Sequence, residues 1–171
     1  YGVIPDLTSL AKILAGGLPG GAIVGRKDIL DALDFEAAPA SGREKIQHQG
    51  TFNANPVSAA AGAATLHLVA TTDACERANA YGEALRRDLN RLFAEEQVGW
   101  AAYGTFSGFH IFTNPKGRTI NPASFDASTI PYDELKGFSP DLVRKLRLAL
   151  LVNGVDIPNR PGGIISASHG D

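Results

Sequence analysis

Two stretches of the chain carry residues whose types and spacing suit chemistry. The first ends in Lys12, which follows Pro5-Asp6-Leu7-Thr8-Ser9-Leu10-Ala11 and precedes the loop Gly16-Gly17-Leu18-Pro19-Gly20-Gly21. Its neighbours Leu10, Ala11, Ile13 and Leu14 are apolar. A lysine in such a run either snorkels to water or holds its amine in a partly desolvated place. Desolvation disfavours the ammonium form, and the neutral amine is a nucleophile able to form an imine with an aldehyde. The glycine loop matches neither a Walker loop nor a dinucleotide fingerprint, and alone it reads as a turn needing positive φ. The second stretch is Gly50-Thr51-Phe52-Asn53-Ala54-Asn55-Pro56. A hydroxyl and successive backbone amides ahead of a helix either hold a phosphate dianion or make an elaborate helix cap.

The elements around these stretches set their positions. Leu7 to Leu14 reads as about two helical turns, stopped by the glycines and Pro19. Ala22 to Gly25 reads as a short apolar strand, Asp28 to Leu33 as helical, and Asp34 to Gln49 as a long loop. Asn55 and Pro56 supply an N-cap and a first helical residue. The Ala-rich helix Val57 to Val69, with Gly62 inside it, is expected to be buried on more than one side. From Cys75 to Gln97 the texture becomes a charged amphipathic helix, with Ala78, Gly82, Leu85, Leu89, Leu92 and Phe93 in one stripe. Val98 to Tyr103 and Phe109 to Thr113 read as strands, and Asn114 to Phe138 as a long loop. Ser139-Pro140-Asp141 opens another capped helix, which Asn153-Gly154 closes. Val155 to Ile157 and Ile164 to Ser166 read as two last short strands. A boundary near Ala70 to Asp73 gives two domains. Residues 1–72 would end a larger α/β domain, and residues 73–171 would form a small α+β domain truncated at its end.

Composition narrows the classes. Apolar residues are 44% and charged residues 20%, so the chain is of globular type. The 16 Lys and Arg are dispersed and the net charge is −2, which argues against a nucleic-acid partner. No apolar run reaches bilayer length, so no membrane partner is expected. The single cysteine, Cys75, excludes an intrachain disulfide and a multi-cysteine zinc site and suits a reducing cytoplasm. His48 reads as a loop residue near the site, His67 as packed on its helix and His110 as a strand residue. His169 has no assignment, and no metal site is expected. The lack of methionine, the opening at Tyr1 and the close at Ser166 to Asp171 predict a portion of a longer protein.

Together the two stretches resemble class III aminotransferases, fold-type I enzymes that depend on pyridoxal 5'-phosphate (PLP). Pro5 to Ala22 is similar to the segment around that family's cofactor lysine, and His48 to Pro56 to the segment whose threonine meets the cofactor phosphate. Gly163-Ile164-Ile165-Ser166-Ala167-Ser168-His169 resembles the last strand of the glutamate-1-semialdehyde 2,1-aminomutase subgroup. The resemblance implies an α/β chain: the end of a fold-type I large domain, then a small α+β domain. It implies that Lys12 bonds the cofactor as a Schiff base and then serves as general base and acid. Thr51 and the amide of Phe52 would hold the phosphate. In this family that threonine comes from the partner subunit, so a homodimer is implied, acting on a small-molecule amino donor and carbonyl acceptor. The family's acid facing the pyridine nitrogen and its phosphate-cupping loop find no counterpart in these residues, and the isolated portion is expected to lack turnover. Two alternatives stand beside this one. One is an inactive remnant or interaction domain in which Lys12 and Thr51 are packing residues; the other is a phosphate-binding α/β domain without PLP.

Overall fold

The computed structural model describes residues 2–170. Tyr1 and Asp171, the outer ends of the expected opening connection and closing segment, lie outside the described residues. The chain divides between Thr72 and Asp73 into two compact units.

In the first unit, β1 (Leu7–Ala11) pairs antiparallel with β2 (Gly21–Gly25), Leu7 facing Gly25 and Ala11 facing Gly21. The two-turn helix expected over Leu7 to Leu14 is thus a strand followed by one 3-10 turn, Lys12–Ala15. A segment this short gains little from helix formation by itself. The reversal through Gly16 and Gly17 instead offers each residue of Leu7–Ala11 a ladder partner, which suits Thr8 and the other residues of that run. The expected strand at Ala22 to Gly25 is present as β2. Helix α1 (Lys27–Leu30) continues as a 3-10 turn, Asp31–Leu33, where a helical segment is expected. The loop expected from Asp34 to Gln49 contains a short helix, α2 (Ala37–Ala40). Asp34 starts it by accepting from the amides of Glu36 and Ala37 at 2.8 and 2.9 Å.

Helix α3 (Pro56–Thr71) begins where Asn-Pro predicts. The Asn55 side chain accepts from the amides of Val57 and Ser58 at 3.0 and 3.1 Å, and Pro56 takes the first helical position. The helix carries no Asp, Glu, Lys or Arg. Its expected burial on several sides is not found. Gly62 is buried, whereas Val57, Leu66, Leu68 and Val69 are exposed. The element packed on it is the turn Lys12–Ala15, which covers one narrow strip.

In the second unit, α4 (Ala74–Glu95) lies on an antiparallel sheet of order β3-β4-β5, formed by β3 (Ala101–Tyr103), β4 (Gly108–Phe112) and β5 (Gly162–Ile164). A methyl group at Gly82 would stand 2.8 Å from the Phe106 carbonyl, so α4 touches the β3–β4 connection directly. Asn90 donates to the Ala102 carbonyl at 2.9 Å and accepts from the Ala102 amide at 2.6 Å. Arg86 Nη1 donates to the carbonyls of Phe106 and Gly108 at 2.8 and 2.6 Å. Ala101, Ala102 and Phe112 are buried, with Phe112 stacked on Phe125 at 5.3 Å and Phe93 edge-on to Trp100 at 5.9 Å.

The expected loop from Asn114 to Phe138 holds two 3-10 turns, Pro122–Ser124 and Ala127–Thr129, and helix α5 (Tyr132–Leu135). Helix α6 (Pro140–Leu151) starts at Ser139, whose hydroxyl accepts from the Leu142 amide at 3.4 Å. It ends near Gly154, at φ 86°. The expected strand Val155 to Ile157 does not form. The Val155 amide closes the helix onto Leu150 O at 3.0 Å, and the Ile157 carbonyl accepts from Arg147 Nε at 2.7 Å. No helix among the described residues is long and apolar enough to cross a membrane.

Glu134 on α5 is the buried acid of this unit, 3% exposed. Arg118 grips its carboxylate at 2.5 and 2.8 Å, and Lys116 lies 3.3 Å away. The Arg118 hydrogen bonds hold this carboxyl below the usual glutamate range, against the burial that would raise it, and Lys116 adds to the lowering. A carboxyl with a lowered folded-state pKa stabilises the fold above its unfolded value. That contribution is lost as pH falls through the folded value. Denaturant unfolding followed from pH 7 into the acid range should therefore show stability falling below about pH 4.3. Glu134→Gln should be less stable than the parent at pH 7, and the two should converge in acid. Parallel curves at all pH values would contradict this role.

Candidate active site

Lys12 opens the 3-10 turn with φ +56°, the left-handed region, after an extended Ala11. A bulky L-residue there is strained and persists only when its surroundings over-determine the backbone. They do so through close backbone packing. Gly16, at φ +62°, donates its amide to Ile13 O at 3.0 Å, and the Leu18 amide reaches Ala15 O at 3.1 Å. A methyl at Gly16 would stand 2.8 Å from both the Ala61 carbonyl and Thr65 Oγ1 of α3. One at Gly62 would stand 2.9 Å from the Leu14 carbonyl, and one at Gly20 would stand 2.7 Å from the methyl of Ala15. The lysine turn therefore rests directly on α3, against its backbone at Gly16 and Gly62 and the Thr65 hydroxyl. The Lys12 side chain is exposed, and among the described residues nothing pairs with its ammonium group. Within this chain the solvent-facing reading of Lys12 holds.

The second stretch is a turn from Thr51 to Ala54 that leads into the α3 cap. The Asn53 amide donates to Gly50 O at 3.0 Å, the Asn55 amide to Phe52 O at 3.3 Å, and Asn53 Nδ2 to His48 O at 3.3 Å. Ala54 also lies in the left-handed region, at φ +55°. Because Asn55 takes the amides of Val57 and Ser58, those first donors of α3 are occupied by the cap. The Thr51 hydroxyl and the amides of Thr51 and Phe52 bond to no group among the described residues. Both residues are exposed to solvent.

A cleft of about 730 Å³ runs between the two stretches along the start of α3. Ala15 and Gly20 line it from the lysine turn, His48, Phe52 and Asn53 from the second stretch, and Ser58 from α3. No charged side chain lines it. Of the expected site residues, Phe52 is brought to this cleft, while Lys12 and Thr51 do not line it. Asn53 and Ser58 escape a reading from sequence because neither residue type is diagnostic outside this turn. The left-handed Lys12 and Ala54 leave no compositional mark either, since both are residues that normally avoid that conformation.

The histidines divide. His48 lines the cleft, His67 is exposed on α3 rather than packed, and His110 lies in β4. His169 Nδ1 is 3.0 Å from both the amide and the hydroxyl of Ser166. Among the described residues no group of three or more His, Cys, Asp or Glu is placed to hold a metal ion.

The sequence model of the class III aminotransferases matches residues 1–126. The glutamate-1-semialdehyde 2,1-aminomutase of Sulfurisphaera tokodaii is 34% identical, covering 100% of this chain and 37% of that protein. That of Methanosarcina acetivorans is 30% identical over 100% of this chain and 36% of its own length. Among solved structures, a transaminase with PLP bound matches 99% of this chain and 35% of its own, with TM-score 0.75 and 29% identity. An omega-transaminase from Sphaerobacter thermophilus gives TM-score 0.75 at 30% identity, covering 99% of this chain and 35% of that one. The chain spans about a third of the length of these relatives.

The close seat of the lysine turn can be tested directly. Gly16→Ala should destabilise the first unit by about 1–3 kcal/mol through overpacking against α3. Gly17→Ala, also at positive φ but with nothing within 4 Å of a new methyl, should bear only the backbone cost and lose less. Amide exchange across residues 12–18 reads both. Equal losses would mean that the contact with α3 does not hold the turn.

Proposed function

The chain belongs to the class III aminotransferase family, and we propose that it carries the cofactor lysine, Lys12, of a PLP-dependent aminotransferase or aminomutase. The observation that carries this reading is the lysine turn itself. A strained, left-handed Lys12 is held by a glycine-lined seat and presents an exposed, unpaired amine. Strain of this kind is retained where placing a reactive group is useful.

The residues present fit the cofactor's two handles. Lys12 Nζ would hold its aldehyde carbon, and the unpartnered Thr51 hydroxyl and Phe52 amide would hold its phosphate. When bound, PLP supplies an electron sink for the carbon that bears the transferred nitrogen. Lys12 Nζ would be the base that takes a proton from that carbon and the acid that returns it. Thr51 would orient the phosphate in the site it serves.

In this reading the substrates are a small-molecule amino donor and a carbonyl acceptor. The protein works as a cytoplasmic homodimer in which Thr51 serves the partner's site. The lone exposed thiol of Cys75 suits that compartment. A remnant without turnover would keep Lys12 and Thr51 as packing residues, and both are exposed. A phosphate-binding domain without PLP leaves the strained lysine turn without a purpose.

Borohydride reduction of the PLP-loaded protein, followed by peptide mapping, should place the pyridoxyl group on Lys12, and Lys12→Ala should lose it. A label on Lys27 or Lys45 instead would refute the assignment. Thr51→Val removes one hydrogen bond to a charged phosphate, worth about 1.5–3 kcal/mol. It should weaken PLP binding by roughly one to two orders of magnitude. An unchanged dissociation constant by fluorescence titration would leave Thr51 as part of a helix cap alone.

A further inference from the structure

The β1–β2 ladder that ends at the lysine turn is clamped at its open end. Arg26 directly follows β2, and its amide donates to the Asp6 carbonyl at 2.9 Å, one bond beyond the pairing of Leu7 with Gly25. Its guanidinium reaches two carboxylates. Nη1 donates to Asp6 at 2.8 Å, while Nε and Nη2 donate to the two oxygens of Asp28 at 3.0 and 2.6 Å. The Arg26 carbonyl accepts from the amides of Ile29 and Leu30 in α1. One residue thus joins the entry to β1, the exit from β2 and the start of α1. We propose that Arg26 is a positioning residue for Lys12, locking the register of the ladder from which the lysine turn departs. The proposal rests on the reading of Lys12 as the cofactor lysine.

Little else in the ladder specifies its register. A buried apolar face usually does so, because a slip of one residue would turn that face to water. Here every ladder residue except Thr8 is exposed, Leu10, Ile23 and Val24 among them. Gly25 permits the observed pairing, since a methyl there would collide with the Asp6 carbonyl, but a glycine excludes no other pairing. A slip of one residue would move the end of β1 by about 3.4 Å and turn its side chains over. Lys12 follows that end with no residue between. A misplacement of about 1 Å at a reacting group is already costly.

An exposed ion pair taken singly holds little. The Arg26 group is a different case, because its fork is bidentate on Asp28 and its third donor is aimed at Asp6 by a backbone bond. Those bonds hold the Asp28 carboxyl below the usual carboxylate range. The neighbouring pair, Lys27 with Asp31 at 2.8 Å, is equally superficial on the lysine side but spans one helical turn and touches no strand. It serves as the control.

The test uses the PLP-loaded protein and three variants. Arg26→Gln removes the charge and the fork, Arg26→Lys keeps the charge and loses the fork, and Lys27→Ala breaks the control pair. Amide exchange across residues 7–11 should quicken about fivefold in both Arg26 variants and stay at the parent rate in Lys27→Ala. Borohydride labelling at Lys12, measured against Lys45, should fall by about tenfold in both Arg26 variants. The pH midpoint of the bound PLP absorbance should shift with it. A merely structural role would quicken exchange and leave the label ratio and the midpoint where they are, which would overturn the proposal. Arg26→Lys behaving like the parent, or Lys27→Ala behaving like Arg26→Gln, would overturn it as well. If Arg26→Gln does not fold, Arg26→Lys decides the matter. A parent labelled at Lys27 or Lys45 rather than Lys12 would refute the cofactor assignment and the positioning role with it. A parent labelled at Lys12 with unchanged Arg26 variants would refute the positioning role alone.

Discussion

The placement of Lys12 depends on a contact between two backbones. The 3-10 turn after the lysine lies on α3 through Gly16 and Gly62, each of which has a carbonyl where a side chain would otherwise sit. Side chains hop between rotamers and repack, but peptide planes in contact have no such freedom. The seat therefore sets the path of the chain on both sides of it. Upstream, it directs residues 7–11 into the ladder with β2. At the lysine, it tolerates a left-handed residue that would relax if the turn could shift. Downstream, it joins the turn to the helix whose capped start carries the second chemical stretch.

Much of the fold could be read from residue order, and the reasons differ by element. The caps at Asn55-Pro56 and Ser139-Pro140 are local chemistry, settled within one turn, and both helices start where those pairs stand. The stripe of α4 is long enough for its period to outweigh individual residues. Leu7 to Leu14 was not legible, because its partner strand lies beyond a glycine loop and pairing across that loop outweighed local preference. Val155 to Ile157 is a different failure. Its residues suit a strand, but an arginine side chain and a helix end take its carbonyl and amide. The apolar character of α3 predicted burial, and the described residues cover it only along the strip at Gly62.

The family was legible for another reason. Lys12 and Thr51 stand in runs whose order resembles one family, and the match to its sequence model over residues 1–126 agrees. What the residues could not tell is how the sites are held. The left-handed backbone at Lys12 and Ala54 follows from steric closure around them. That the Thr51 and Phe52 donors stay free while Asn55 caps the helix emerges only once the turn is built.

Asn90 bears on the surface of the second unit as well as its packing. β3 is an outer strand of the sheet, and an outer strand presents a row of unused peptide groups on which another chain can build. Ala102, at the middle of that strand, has both its amide and its carbonyl occupied by the Asn90 carboxamide. The side chain imitates one peptide unit of a further strand and then stops, because it is anchored on a helix. Growth of the sheet in that direction is blocked at its centre. The unit thus carries its own guard against strand-to-strand aggregation, supplied by one neutral amide where other sheets use charge, proline or a bulge.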